Sequence, residues 1–230
     1  AAVFQGVKGA KYDQENLEPT QFVGFNQSFD DFNGSRWTRT ALAVDQHFVG
    51  GIRAGLELAR RRIDIPNVGC DSADCLTRWY ESVHRAYLVW PFGHRAVLSA
   101  EWRHEDTRFV DDPLLLGAAL PHQLRTDLLP LRLWFRVGAG DVLLETWGVR
   151  QQATLRDFDG LDTFKRSSFY IANLRYSLPI NNNKRLLASL TANNLFDRHF
   201  RFENSDYNGD PKAPLFQPRR SVLFQLTYRY

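Results

Sequence analysis

The residues with the most chemistry in them are arginines and glutamates that recur at even spacing on several short segments. Arg53, Glu57 and Arg61 share the polar parity of one segment, Glu101 and Arg103 that of a second, and Arg85, Arg132 and Arg175 stand on the polar parity of their own segments. Guanidinium groups gathered on one face hold carboxylates, phosphates or sugar hydroxyls through paired hydrogen bonds. Together the eight would line a wet interior carrying more positive than negative charge, suited to anionic or sugar-like solutes. The same residues could equally form a ladder of paired Arg and Glu that braces a wall. On sequence alone the two readings stand level.

Other chemistry is sparse. His47, His84, His94, His104, His122 and His199 lie on separate segments, and no nucleophile elbow, zinc-protease helix motif or Gly-rich phosphate loop occurs. His104 and Asp106, near a strand end, are the nearest approach to a hydrolytic pair, and no enzymatic activity is expected. Cys70 and Cys75 lie in a polar stretch after Pro66. A local disulfide leads there over free thiols, because the neighbouring Asp71 and Asp74 are hard oxygen donors that match thiolate-bound metals poorly. Residues 204–210 resemble the first half of a calcium loop, but the twelfth position is Leu215 instead of a bidentate Glu. A plain polar loop is the expectation, with no metal and no cofactor.

The elements that would position the charged set follow from a two-residue period. Val222, Phe224, Leu226, Tyr228 and Tyr230 alternate with polar partners, as do Leu186, Ala188, Leu190 and Ala192, and Tyr170, Ala172, Leu174 and Tyr176. The same rhythm places Leu129, Leu131, Leu133 and Phe135 against Arg132, and Ala96, Leu98, Ala100 and Trp102 against Glu101 and Arg103. Ala86, Leu88 and Trp90 oppose Arg85, Leu56 and Leu58 oppose Glu57, and Leu42 and Val44 oppose Arg39 and Asp45. The pattern weakens at 142–151, where Glu145 and Arg150 differ in parity, and at 20–29. Counting both, ten strands are expected. A helix over 52–62 is compatible with its composition, but its neighbours on both sides alternate at period two.

Connection lengths alternate in the same order. Short, Gly-, Pro- or Asn-rich links fall at 49–51, 91–94, 137–141 and 179–184, and longer ones at about 64–78, 107–122, 153–167 and 196–218. Short turns at one end and long loops at the other, with charge on the inward parity, predict an all-β, up-and-down antiparallel transmembrane β-barrel of about ten or more strands over residues 1–230. A sandwich core could not bury that many charges unpaired. Aromatics at strand ends fit girdles: Phe48, Trp90, Phe135, Tyr176, Tyr228 and Tyr230 beside the short turns, and Trp79, Trp102 and Tyr170 beside the long loops. With 29 Lys plus Arg against 26 Asp plus Glu, interspersed along the chain, no nucleic-acid partner is expected. No charge-free run approaches the roughly 20 apolar residues of a spanning helix. The chain starts at Ala1 and holds no Met, so processing or truncation is expected to have removed the true start.

The segment Leu190-Thr-Ala-Asn-Asn-Leu-Phe-Asp-Arg-His-Phe-Arg201, followed after a loop by Pro218-Arg-Arg-Ser-Val-Leu-Phe-Gln-Leu-Thr-Tyr-Arg-Tyr230, resembles the last two strands of TonB-dependent outer-membrane receptors. In that family Asn-Leu-Phe-Asp closes the penultimate strand and the last strand ends on an aromatic. Residues 17–34 also resemble barrels that follow a tetratricopeptide superhelix, related to polysaccharide-export porins. The resemblance implies the C-terminal portion of a larger barrel protein in the outer membrane of a Gram-negative bacterium, a receptor or porin passing or exporting a solute. It implies outer-membrane lipid, the barrel-insertion machinery and a missing N-terminal or periplasmic portion as partners, with Phe224, Leu226, Tyr228 and Tyr230 as the insertion signal. No plug, TonB box or helical repeat is present in these residues, and the solute is left open. The competing classes are a soluble all-β binding module of the periplasm or cell surface and an outer-membrane barrel enzyme.

Overall fold

The computed structural model describes residues 1–7, 20–22, 25–27, 34–66, 76–110, 121–156, 161–181, 185–200 and 219–228. They form β1 (Ala2–Val7), β2 (Thr20–Phe22), β3 (Phe25–Gln27), β4 (Arg36–His47), β5 (Arg53–Pro66), β6 (Leu76–Phe92), β7 (Ala96–Phe109), β8 (Pro121–Val137), β9 (Gly140–Arg156), β10 (Asp162–Pro179), β11 (Leu186–Asn193) and β12 (Ser221–Tyr228). The fold is all-β. One antiparallel sheet runs β1-β4-β5-β6-β7-β8-β9-β10-β11-β12, each strand beside its sequence neighbour once the separate β2–β3 hairpin is set aside. β1 pairs with β4 and β12 with β11, and these two outer strands are not paired with each other.

Residues 20–29 were expected as one strand and are not one. Phe22 pairs directly with Phe25, so the apolar residues meet across a reversal, and β1 takes the first place in the sheet. The expected tight turns at 49–51, 91–94 and 137–141 are present, while residues 182–184 of the fourth lie outside the described residues. Gly50, Gly51, Gly93 and Gly138 all have positive φ, between 57° and 82°, which only glycine adopts without strain.

Because side chains alternate across a pleated strand, the register sorts them onto two faces. Asp45, Gly55, Tyr87 and Glu101 lie across one another on one face, as do Ala43, Glu57, Arg85 and Arg103. The other face carries Val44, Leu56, Ala86, Trp102, Leu129, Gly148 and Tyr170 in one cross-strand row. Among the described residues, the alternating apolar sets found in the sequence over β4 to β12 fall on this second face, and its large residues are open: Leu56 is 46% exposed and Leu129 also 46%. Arg150, out of step in the sequence, is on this exposed face too, beyond the apolar stretch. Glu145 is on the first.

Strands run further toward the long loops than the sequence suggests, because the two faces exchange polarity there. On β5 the exposed face changes from Leu56 and Leu58 to Arg60, Arg62 and Asp64, while the opposite face changes from Glu57 and Arg61 to Ile63 and Ile65. Ile63 is 0% exposed, and with Ile65, Trp79, Phe109 and the half-buried Trp37 it forms the main apolar cluster. The Trp79 and Phe109 rings lie 5.0 Å apart. Trp79 therefore does not belong to an outward girdle as expected; it occupies the charged parity at a level where that parity has become apolar. The face that buries this cluster and Glu57 is termed the enclosed face, although the sheet is not closed into a barrel, β1 and β12 being its two free edges.

One glycine is required by packing. A Cβ on Gly55 would stand 2.5 Å from the Tyr87 ring, which crosses the strand to donate its hydroxyl to Asp45. The two faces make a direct prediction. Ile63→Ala should lose about 2–5 kcal/mol in equilibrium urea unfolding in detergent micelles, whereas Leu56→Ala should lose about 1 kcal/mol or less, since only the former opens a cavity.

Candidate functional site

All eight arginines and glutamates singled out in the sequence lie on the enclosed face. Six of them join an ion-pair system that also recruits Arg39, Glu81, Glu105 and Glu145. Glu57 accepts from Arg39 at 3.1 Å and stands 3.8 Å from Arg85, whose other terminal nitrogen donates to Glu101 at 3.0 Å. Glu101 also accepts from Arg103 at 2.9 Å, and Arg103 lies 3.6 Å from Glu105. The result is a chain of alternating sign, Arg39, Glu57, Arg85, Glu101, Arg103, Glu105, crossing β4 to β7. Beside it Arg61 donates to Glu81 at 2.8 Å, and Arg132 Nε stands 2.9 Å from Glu145 as an ion pair. Direct cross-strand opposition explains several of these contacts, as with Glu57 against Arg85, Arg61 against Glu81 and Arg132 against Glu145. Arg53 and Arg175 are exposed, and among the described residues neither forms an ion pair.

The bracing ladder thus accounts for Glu57, Arg61, Arg85, Glu101 and Arg103. Arg132 is different. Its nearest approach to Glu145 is through Nε, and its side chain remains 57% exposed, which leaves its guanidinium edge open.

That edge borders a cavity of about 440 Å³ on the enclosed face of β7 to β10. Ser99, Glu101, Arg103 and Arg132 form its polar side, from β7 and β8, and Trp147, Val149, Phe169 and Ile171 form its apolar side, from β9 and β10. Phe200 closes the apolar side by stacking on Phe169, with centroids 4.5 Å apart. Sequence reasoning selected the charges and missed Trp147, Phe169 and Phe200. The signal was present in the parity: Trp147 shares the parity of Glu145, and Phe169 that of Arg175, so each is an aromatic on the polar side of its strand.

Phe200 is held by the turn that ends β11, which contains the Asn-Leu-Phe-Asp motif. The Asn194 side chain accepts from the Arg198 N–H and donates to the Arg198 carbonyl, both at 2.9 Å, and its own N–H donates to Asn173. Asn194 and Asp197 have φ of 48° and 49°, a region short polar residues tolerate better than most. Asp197 accepts from the Arg220 N–H at 3.0 Å and from the Arg219 guanidinium at 2.7 and 3.2 Å. The Arg220 N–H and the Arg219 charge hold its carboxyl below the usual aspartate range. The motif clamps the start of β12 to the end of β11.

Other expectations sort as follows. His104 does not pair with Asp106; its Nδ1 lies 2.8 Å from Asp127 on the exposed face, while Asp106 is bonded to Arg108 and Gln123. Phe224, Leu226 and Tyr228 stand on the exposed face of β12. Tyr230, Cys70, Cys75 and the calcium-like loop at 204–215 lie outside the described residues. No family model matches this chain, and neither a curated protein nor a solved structure matches it.

Two outcomes are expected. Glu57→Ala should lose about 3–5 kcal/mol in equilibrium unfolding, since it removes the carboxylate that buried Arg39 donates to and that Arg85 faces, and Arg39→Met combined with Glu57→Leu should recover most of that loss. Asp197→Ala should speed amide hydrogen exchange across β12 without changing β5 to β8. Because the folded Asp197 carboxyl is held low, the wild-type clamp should persist above the ordinary aspartate range, near pH 4, and weaken only as the pH falls below it.

Proposed function

We propose that the chain is an outer-membrane β-barrel transport protein, a receptor or porin that passes or exports a solute, with the enclosed face as its lumen wall. The observation that carries this reading is the exchange of polarity between the two faces. A soluble sheet buries one apolar face along its whole length. Here a continuous apolar band on the exposed face stands back to back with paired charges, and where that band gives way to Arg60, Arg62, Arg78, Arg108, Arg125 and Arg150, the opposite face becomes an apolar core. Lipid against the band and water beyond it would impose this inversion.

The dimensions agree. On β8 the outward apolar positions run from Leu129 to Val137, about 27 Å along a strand rising ~3.4 Å per residue, which at the usual tilt of about 35–45° is about 19–22 Å of height, close to the apolar band of about 25 Å in outer-membrane barrels. Trp90, Phe92, Phe135 and Tyr176 edge the band beside the short turns, and Trp102 and Tyr170 share a row at its other edge. So many exposed large apolar side chains would be an aggregation hazard in water. A barrel further requires the β1 and β12 edges to pair with each other or with strands from a longer protein. The resemblance of 190–201 and 218–230 to TonB-dependent receptors supports the same class.

Expressed in a Gram-negative host, the protein should sediment with outer membrane, resist carbonate wash and require detergent for release. Reconstituted in planar bilayers it should conduct. A protein that stays in the aqueous phase without detergent would overturn the reading. Leu56→Arg should impair assembly by about 2–4 kcal/mol near the midplane, while Leu56→Phe should be tolerated, because lipid adapts where a close-packed core would lose about 1–3 kcal/mol.

A further inference from the structure

The cavity between β7 and β10 divides its chemistry by side. Arg103 and Arg132 stand on one wall, Trp147, Phe169 and Phe200 on the other, and the volume of about 440 Å³ lies in the range of small-molecule sites. The ion-pair chain occupies Arg103 through Glu101, but Arg132, whose nearest approach to Glu145 is an ion pair through Nε at 2.9 Å, keeps a side chain 57% exposed, its guanidinium edge open to a further acceptor. A planar carboxylate matches that edge. Opposite it, the stacked Phe169 and Phe200 rings and the Trp147 indole offer flat apolar surface on which a ring can lie.

We propose that this cavity is a binding site for a small organic anion with a flat apolar body, its carboxylate on Arg132 and its ring against Trp147 and Phe169 beneath Phe200. A purely charged solute would leave the aromatic wall unused, and a neutral apolar one would leave the guanidinium edge without an acceptor. Phe200 follows the turn closed by Asn194 and Asp197 and reaches the site by stacking on Phe169.

The proposal deepens the transport reading, and the test separates the two. Detergent-solubilised protein is titrated by calorimetry with 2-naphthoate and with its neutral isostere 2-naphthamide, and the same preparation is assayed for conductance. Naphthoate should bind saturably and roughly tenfold or more tightly than the amide, the difference expected of one charge-assisted contact. Arg132→Gln should remove that preference, and Phe200→Ala should weaken both ligands. If Arg132→Gln unfolds, Arg132→Lys, which keeps the charge but not the planar edge, should reduce the preference. Absence of saturable naphthoate binding, equal affinity for acid and amide, or indifference to both Arg132→Gln and Phe200→Ala would overturn the site. A protein that conducts but fails these titrations overturns the site alone; one that binds but neither inserts nor conducts overturns the barrel reading alone.

Discussion

One antiparallel sheet holds all the described strands except the β2–β3 hairpin, and its pleat decides which of two faces each side chain receives. Everything else in this protein depends on that constraint. The antiparallel register from β4 to β12 is continuous, so residues chosen by parity on separate strands arrive side by side in rows. A slip of one residue between β5 and β4 or β6 would place Leu56 among the arginines and Glu57 among the leucines. The ion pairs and the apolar band hold each other in register for this reason.

The charged chain from Arg39 to Glu105 shows what such rows make possible. No member of it could be buried alone, because an isolated charge in a poorly hydrated site loses far more solvation than one contact returns. Alternating sign along a cross-strand path lets each internal member face two partners, as Glu57 faces Arg39 and Arg85, and Glu101 faces Arg85 and Arg103. Such a chain contributes more to the uniqueness of the pairing than to net stability. Its end beyond Arg103 is where the wall changes from braced to open, and there Arg132 and the aromatic residues of β9 and β10 share a cavity.

Local devices keep the meander in order at its ends. Tyr87 covers Gly55 and reaches Asp45, filling with a ring the space that the glycine leaves on a strand. Asn194 and Asp197 satisfy the backbone where β11 stops, and through Arg219 and Arg220 they fix where β12 begins. The Asn-Leu-Phe-Asp segment, picked out in the sequence by resemblance, has a physical task that owes nothing to that resemblance: two short polar side chains close a turn and aim Phe200 across the enclosed face.

The strands, their direction and the two faces were legible in the sequence because period-two alternation is a local property that each segment displays by itself. The side of the charged residues was legible for the same reason, as was the contrast between short turns and long loops. The sequence did not show that the faces exchange polarity: at Arg60 to Ile65 the alternation keeps its period and reverses its sign, which reads as the end of a strand until the ladder is seen to continue. It misplaced Trp79 for that reason, and it merged β2 and β3 because a hairpin two residues wide leaves almost no periodic signal. Which arginines are paired and which one keeps a vacant edge depended on neighbours 16 to 20 positions away for Arg39, Arg61 and Arg85, and only the tertiary register brings such residues together. The cavity beneath Phe200 was likewise decided by tertiary structure, since its walls come from four strands and a turn that share no sequence pattern.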